Sequence, residues 1–372
     1  MQVHDTKNRL MCFLQRYPVF DRTQIIADVQ ITAWFDAGED AFFGHKCIIR
    51  LGRKIYSIYS IAEIMRDLKR DILVTLAQFD IFRFPLRLEE INKYLWSGEG
   101  GETAIADTLQ RELSSLVCRK DDCYFFRGGE ENVYERRRRA ARAKLFWEKV
   151  DRFRILFRLT PFLRSVVVTN TLSYDNVKAD SDIDILSVGA SGRLWTTRAF
   201  LLLYLKVLKE KVQGKDTAAK FCPQMFIADD ALNIEHIKES SDYYLYFWFL
   251  TLRPLFGEKI FQSFLDNNPW VGEFLPQYNE LDLSHFKPLK KHWLRNLLEK
   301  ILSGKFGVWL EGVLKKHQLR IIKRTVDEIA INPSVVVNDK MIKLHFNDPR
   351  KRYAKMVEAR AKLQTTHEPQ EV

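Results

Sequence analysis

Hydrophobic positions change their spacing several times along this 372-residue chain, and each change marks an element. Up to about Tyr59 the pattern is mixed. Gly38, Gly44 and Gly52 punctuate short runs there, and residues 1–60 receive no functional assignment. From Ile61 the pattern clears. Residues 72–79 read as a helix, Phe84-Pro85-Leu86 breaks it, and residues 88–95 make a second helix with Leu88, Ile91 and Leu95 on one face. The turn Gly98-Glu99-Gly100-Gly101 precedes a third helix over residues 103–116. Val117-Cys118-Arg119, the turn Lys120-Asp121-Asp122 and Cys123-Tyr124-Phe125-Phe126 then predict a two-stranded ribbon.

The second half alternates strands and helices. Ser165-Val166-Val167-Val168 is a β-branched run that reads as a buried strand, ending in Thr169-Asn170. Ser181-Asp182-Ile183-Asp184 opens a second apolar run. On a strand, Asp182 and Asp184 project to one side while Ile183 and Ile185 pack on the other. Residues 221–227, the acidic turn at Asp229-Asp230 and residues 232–237 predict a hairpin, with Asn233 and Glu235 sharing one face. The aromatic run at residues 243–249 predicts a helix packed on the sheet. Residues 287–302 and 309–325 predict amphipathic basic helices, and the tail from about Leu363 is polar.

Three helices followed by a ribbon predict a winged-helix arrangement over residues 61–130, a fold whose DNA-binding examples place the third helix in the major groove. The third helix carries Arg111 but also Glu102, Asp107 and Glu112, so protein or substrate docking fits it at least as well. Beyond it, Arg136-Arg137-Arg138-Arg139, Arg142 and Lys144 form a basic helical linker over residues 131–160. That linker reads either as a grip on nucleic-acid phosphates through counterion release or as a solvated face.

Asp182 and Asp184 carry the chemistry. Two aligned carboxylates suit Mg²⁺ or Mn²⁺, which take a few carboxylates together with water and substrate phosphate oxygens. The order of apolar strand, small polar turn, short connection and Asp-x-Asp strand resembles the nucleotidyltransferase superfamily typified by DNA polymerase beta. Thr169-Asn170 stands where that family usually has Gly-Ser. Phe221–Phe226, Asn267–Pro276 and Asp339–Asp348 are similar to a family of predicted bacterial nucleotidyltransferases that carry a DNA-binding-like module in front.

The resemblance implies metal binding by Asp182 and Asp184, with Glu235 as the third carboxylate. It implies that Thr169, Asn170 and Ser181 face the phosphates of an NTP. The implied activity is Mg²⁺-dependent transfer of an NMP from an NTP to a hydroxyl acceptor. The alternative is a degenerate transferase scaffold acting as a nucleic-acid-binding or regulatory module.

Composition fits these expectations. A hydrophobic share of 46% is ample for a core, and a formal net charge of +11 favours a polyanionic partner. The five cysteines show no zinc-site spacing, and reduced thiols in a cytoplasmic protein are the simplest reading. The apolar stretches 199–208 and 243–252 are too short to span a bilayer, so no membrane partner is expected. The expected fold class is α+β: a winged helix, a mixed-sheet nucleotidyltransferase core over residues 161–240, a helical region over 241–362 and a flexible tail over 363–372.

Overall fold

The computed structural model describes residues 68–365 except 99, 213, 215, 281, 289, 291, 330 and 332, with only the backbone at 329 and 362–365, together with three short strands nearer the start of the chain. Those strands, β1 (Gln30–Thr32), β2 (Ile48–Leu51) and β3 (Lys54–Ser57), form an antiparallel sheet in the order β1-β2-β3 within a unit spanning Met1–Asp67. The rest of the segment 1–60, and the tail beyond residue 365, lie outside the described residues.

Leu68–Val372 forms a second compact unit. It opens with α1 (Leu68–Asp80), β4 (Leu86–Arg87), α2 (Leu88–Lys93), α3 (Gly101–Arg111), β5 (Val117–Lys120) and β6 (Cys123–Phe126). The three short strands pair antiparallel in the order β4-β6-β5. Arg83, at φ 54°, helps turn the chain out of α1, and Pro85 stands just before β4. Helix α3 stops earlier than its apolar pattern predicts. Leu113 and Val117 donate their N–H groups to Thr108 and Leu113, which bends residues 112–116 into a turn.

The long helix α4 (Glu131–Leu159) leads to the main sheet. Its members are β7 (Leu163–Val168), β8 (Ile183–Gly189), β9 (Phe221–Ala228), β10 (Arg253–Phe256), β11 (Ser334–Val337) and β12 (Met341–His345), in the order β10-β7-β8-β9-β12-β11. Only β8 and β9 run parallel. Helix α6 (Leu194–Val207) makes the crossover between them, and the short α5 (Asn170–Ser173) opens the connection from β7 to β8. This mixed sheet with helices fits the expected α+β class.

The central strands are buried on both faces, which explains continuous apolar runs in place of alternation. Val166, Val168, Ile183, Ile185 and Phe226 pack into one core, and Val167, Leu186, Val188, Met225 and Ile227 into the other. Asp184 therefore lies on the face of Leu186 and Val188. Strand β9 carries a bulge at Pro223-Gln224, where the register moves from Asp184↔Cys222 to Leu186↔Met225. Before that bulge, Cys222 shares the Asp184 face.

After the sheet's first half come α7 (Tyr243–Thr251), α8 (Glu258–Asp266), α9 (Trp293–Leu302), α10 (Lys305–Ile329) and α11 (Arg350–Thr365). The aromatic run of α7 is largely buried, as its pattern predicts. Helix α9 begins at Trp293 rather than near Lys287, because Pro288 interrupts the run and His292 caps the helix.

The predicted strand over residues 232–237 does not form. Asn268 accepts from Ile234 N–H and donates to Leu232 O at 2.8 Å each, and Asn233 donates to Asn267 O. Side chains thus satisfy a backbone that would otherwise need a strand partner. Residues Glu235–Ile237 form a single 3-10 turn, and β12 pairs with β9 instead.

Candidate active site

Asp182 precedes β8 and Asp184 is its second residue. Across the parallel pair, Cys222 sits in register with Asp184. Among the described residues, Asp182, Asp184 and Cys222 form a group whose donor atoms all lie within 4.8 Å of one another. Asp184 and Cys222 line a cleft whose further walls include Tyr244, Trp248, Lys343, His345 and Arg350.

Asn170 fixes Asp184. Its Nδ2 donates to Asp184 Oδ2 at 2.8 Å, and its Oδ1 accepts from Tyr244 Oη at 2.9 Å. The backbone of Thr169 donates to Asp184 O at 3.0 Å. In this turn Thr169 is extended (φ −127°), while Asn170 is left-handed (φ 57°). The position that favours glycine is thus held by asparagine, which tolerates that region better than most side chains. Thr169 needs no glycine-like freedom.

Electrostatically the group is under tension. Burial, and then the neighbouring Asp182 charge, push the Asp184 carboxyl up to about 7, against the hydrogen bonds from Asn170 and Cys222. Burial also raises Asp182, opposed by the Cys222 thiol. The same burial and the two carboxylates push the Cys222 thiol well up. Among the described residues, no lysine, arginine or histidine forms an ion pair with either carboxylate.

The other expected site residues are placed elsewhere. Ser181 Oγ accepts from Lys178 N–H at 2.9 Å and so holds the turn before β8. Glu235 is half exposed on its 3-10 turn, 3.4 Å from Lys238 Nζ, and is not part of the Asp182–Asp184–Cys222 group. The position facing the carboxylates belongs to Cys222, which the sequence reading passed over as a plain thiol. The Pro223-Gln224 dipeptide is the signal that reveals it, since a proline in a central strand marks a bulge.

Of the wall residues on β12 and α11, His345 was a candidate from the sequence, whereas Lys343 and Arg350 carried no local signal. Lys343 is 2% exposed and donates to Ser334 O at 3.1 Å and Ser334 Oγ at 2.5 Å. Burial and then Arg350 lower its ammonium to about 8. Burial, followed by Lys343, lowers His345 to about 4, so its imidazole is neutral near neutral pH.

In the basic run Arg136, Arg139 and Arg142 bond inside the fold, while Arg137 and Arg138 stay exposed in surface ion pairs. Arg136 makes a fork to both Glu90 oxygens at 2.5 and 2.6 Å, and Arg139 donates to Phe82 O and Asn176 Oδ1. Arg137 pairs with Asp121 at 3.0 Å and Arg138 with Glu135 at 2.7 Å. Arg142 donates to Val177 O.

Comparison with known proteins adds no relative: no family model, curated protein or solved structure matches the chain.

The donor set fits one hard cation. Asp182 and Asp184 supply two adjacent oxygens, and water and substrate would complete the shell. Cys222 offers sulfur, held as a neutral thiol by its surroundings, which is a poor ligand for Mg²⁺.

Proposed function

We propose that this chain is a Mg²⁺- or Mn²⁺-dependent nucleotidyltransferase that moves an NMP from an NTP to a hydroxyl acceptor. The observation that carries the reading is the pair Asp182 and Asp184, with Asp184 at the cleft and held by Asn170, and with no cationic side chain among the described residues paired to either. A bound divalent cation would relieve their repulsion and neutralise charge on the substrate phosphates. The acceptor oxygen would attack the α-phosphorus as the bond to pyrophosphate breaks, its proton passing to water. Lys343 and Arg350 line the same cleft, with their charges balanced by Asp348 and Asp242.

The order α1-β4-α2-α3-β5-β6, with β6 between β4 and β5, supports a winged-helix reading of the leading module. Its linker arginines point to a structural use of the basic run rather than a phosphate grip.

The rival reading, a transferase scaffold without turnover, draws on one observation. Cys222, and not a third carboxylate, completes the group around Asp182 and Asp184. Calorimetric titration of each NTP with Mg²⁺ or Mn²⁺ separates the two. Wild type should bind saturably, and Asp182→Asn with Asp184→Asn should remove that binding. Folded wild type that binds no NTP with either metal would favour the inactive scaffold.

A further inference from the structure

Helices α9 and α10 bury polar side chains on their inner faces, beside the apolar Leu302 and Ile322. Arg295 is only 3% exposed and donates to Glu299 Oε1 at 2.8 Å and to Leu163 O. Glu299 also accepts from Phe162 N–H. Glu311 turns inward to the N–H groups of Trp195 and Thr196 at 2.8 Å, and Gln318 bonds Arg198 and Trp195 O. The polar groups of these helices thus anchor them to the body of the protein.

The outward faces are apolar. Trp293, Leu297 and Ile301 follow one stripe of α9 and are 66%, 48% and 52% exposed. Phe306, Trp309 and Val313 continue as a stripe on α10, with Trp309 61% exposed. Ser303-Gly304 joins the helices tightly, and a side chain at Gly307 would meet Leu302 O at 1.7 Å. Lys300, Lys305, Lys316, Arg320 and Lys323 are exposed on the same two helices and form no ion pair among the described residues. Within 293–325 the acidic residues, Glu299 and Glu311, are both turned inward, and the last turn of α10 adds the exposed Asp327 and Glu328, the latter paired with Arg324. The surface is therefore both apolar and strongly basic.

We propose that the α9–α10 hairpin docks on an anionic lipid bilayer, with Trp293, Trp309 and the aliphatic side chains entering the headgroup boundary and the lysines meeting lipid phosphates. Tryptophan beside aliphatic residues, rimmed by lysine and arginine, is the composition that interfacial helices use. No described helix is long and apolar enough to cross a membrane, so the contact is peripheral. Charge decides against a second copy, because a two-fold contact would set this basic rim against itself. Leu297, Ile301 and Val313 decide against nucleic acid, whose interfaces are polar and reward aromatic stacking, not aliphatic burial.

Cosedimentation of the full chain with vesicles of phosphatidylcholine alone, or mixed with phosphatidylglycerol, tests the proposal. Wild type should sediment with the anionic vesicles, less so at high salt, and hardly with the neutral ones. Ile301→Ser with Trp309→Ser, and separately Lys300→Gln with Lys305→Gln and Lys316→Gln, should each weaken partitioning roughly tenfold or more with circular dichroism unchanged. Trp293→Ser and Trp309→Ser as single substitutions repeat the test with minimal disturbance of either helix. Absence of wild-type binding, binding indifferent to lipid charge, or binding that both variants retain would overturn it. So would substitutions that abolish RNA binding or self-association while leaving vesicle binding intact.

Discussion

At Asp184 burial and like charge act together, and they leave a measurable signature. An acid whose folded pKa of about 7 lies above its ordinary 3.8 stabilises the fold while protonated. That contribution is complete below about pH 4 and is lost as pH rises through about 7. Metal-free protein should therefore lose stability across this window, and Asp184→Asn should flatten the profile. Because solvent reaches the site, the variant's gain near pH 8 should be about 1–2 kcal/mol, less than the full shift implies. Mg²⁺ should then raise the melting temperature of wild type but not of the variant. Denaturant unfolding near pH 4 and near pH 8 checks this, and a variant as pH-sensitive as wild type would refute it. Tyr244→Phe probes the next residue outward. Without that hydroxyl the Asn170 amide is free to turn, so Asp184 should titrate higher still, at a cost of about 1 kcal/mol. Carboxyl-carbon NMR titration reads the shift directly, and an unmoved Asp184 would dismiss Tyr244 as an orienting group.

Between elements, arginine rather than apolar packing alone ties α4 to the leading module. Glu90 caps α2 by accepting from Arg87 N–H at 2.8 Å and also takes the Arg136 fork, with Arg136 seated over the Phe84 ring. Arg136→Ala would leave a largely buried carboxylate without its cation and should cost about 2–4 kcal/mol. Arg137→Ala and Arg138→Ala, at exposed surface pairs, should each cost less than about 0.5 kcal/mol. Urea unfolding of the three variants measures the contrast, and equal small effects would mean the fork is ornamental. This is also where the sequence was least legible. Local spacing was enough for α1, α2, the ribbon and the Asp-x-Asp strand, because period and turn residues are local properties. The Arg136–Arg139 run looked like a solvated or phosphate-facing stripe, since its partners Glu90, Phe82 and Asn176 lie 37 to 57 residues away. Glu235 looked like a strand residue for the same reason. Nothing nearby reveals that Asn268 satisfies the backbone of Leu232 and Ile234 in place of a neighbouring strand. Cys222 was within reach only through Pro223.

Across the second unit, first and last elements share one interior. Ile72 and Leu76 of α1, Val167 and Leu186 of the main sheet and Val357 of α11 belong to the same core, and α11 packs against both α1 and α7. The polar lock on this closure is Arg350. Its guanidinium bonds Asp242 at 2.6 Å, Asp348 at 2.9 Å and Ile237 O at 3.0 Å, all in buried surroundings. Burial raises the Asp242 carboxyl even against the Arg350 charge, so Asp242 depends on that cation to remain ionised. Arg350→Met keeps much of the volume and removes the charge, which should cost about 3–5 kcal/mol. Because the module, the sheet and α11 share apolar contacts, the loss should lower a single transition for residues 68–365 instead of freeing α11 alone. Calorimetry of the fragment 68–372, followed in parallel by tryptophan fluorescence and far-UV circular dichroism, distinguishes these outcomes. Coincident curves, shifted together by Arg350→Met, are expected. A variant in which α11 melts first while the cleft side chains hold their native signals would show that the closure is local and that the candidate site does not depend on it.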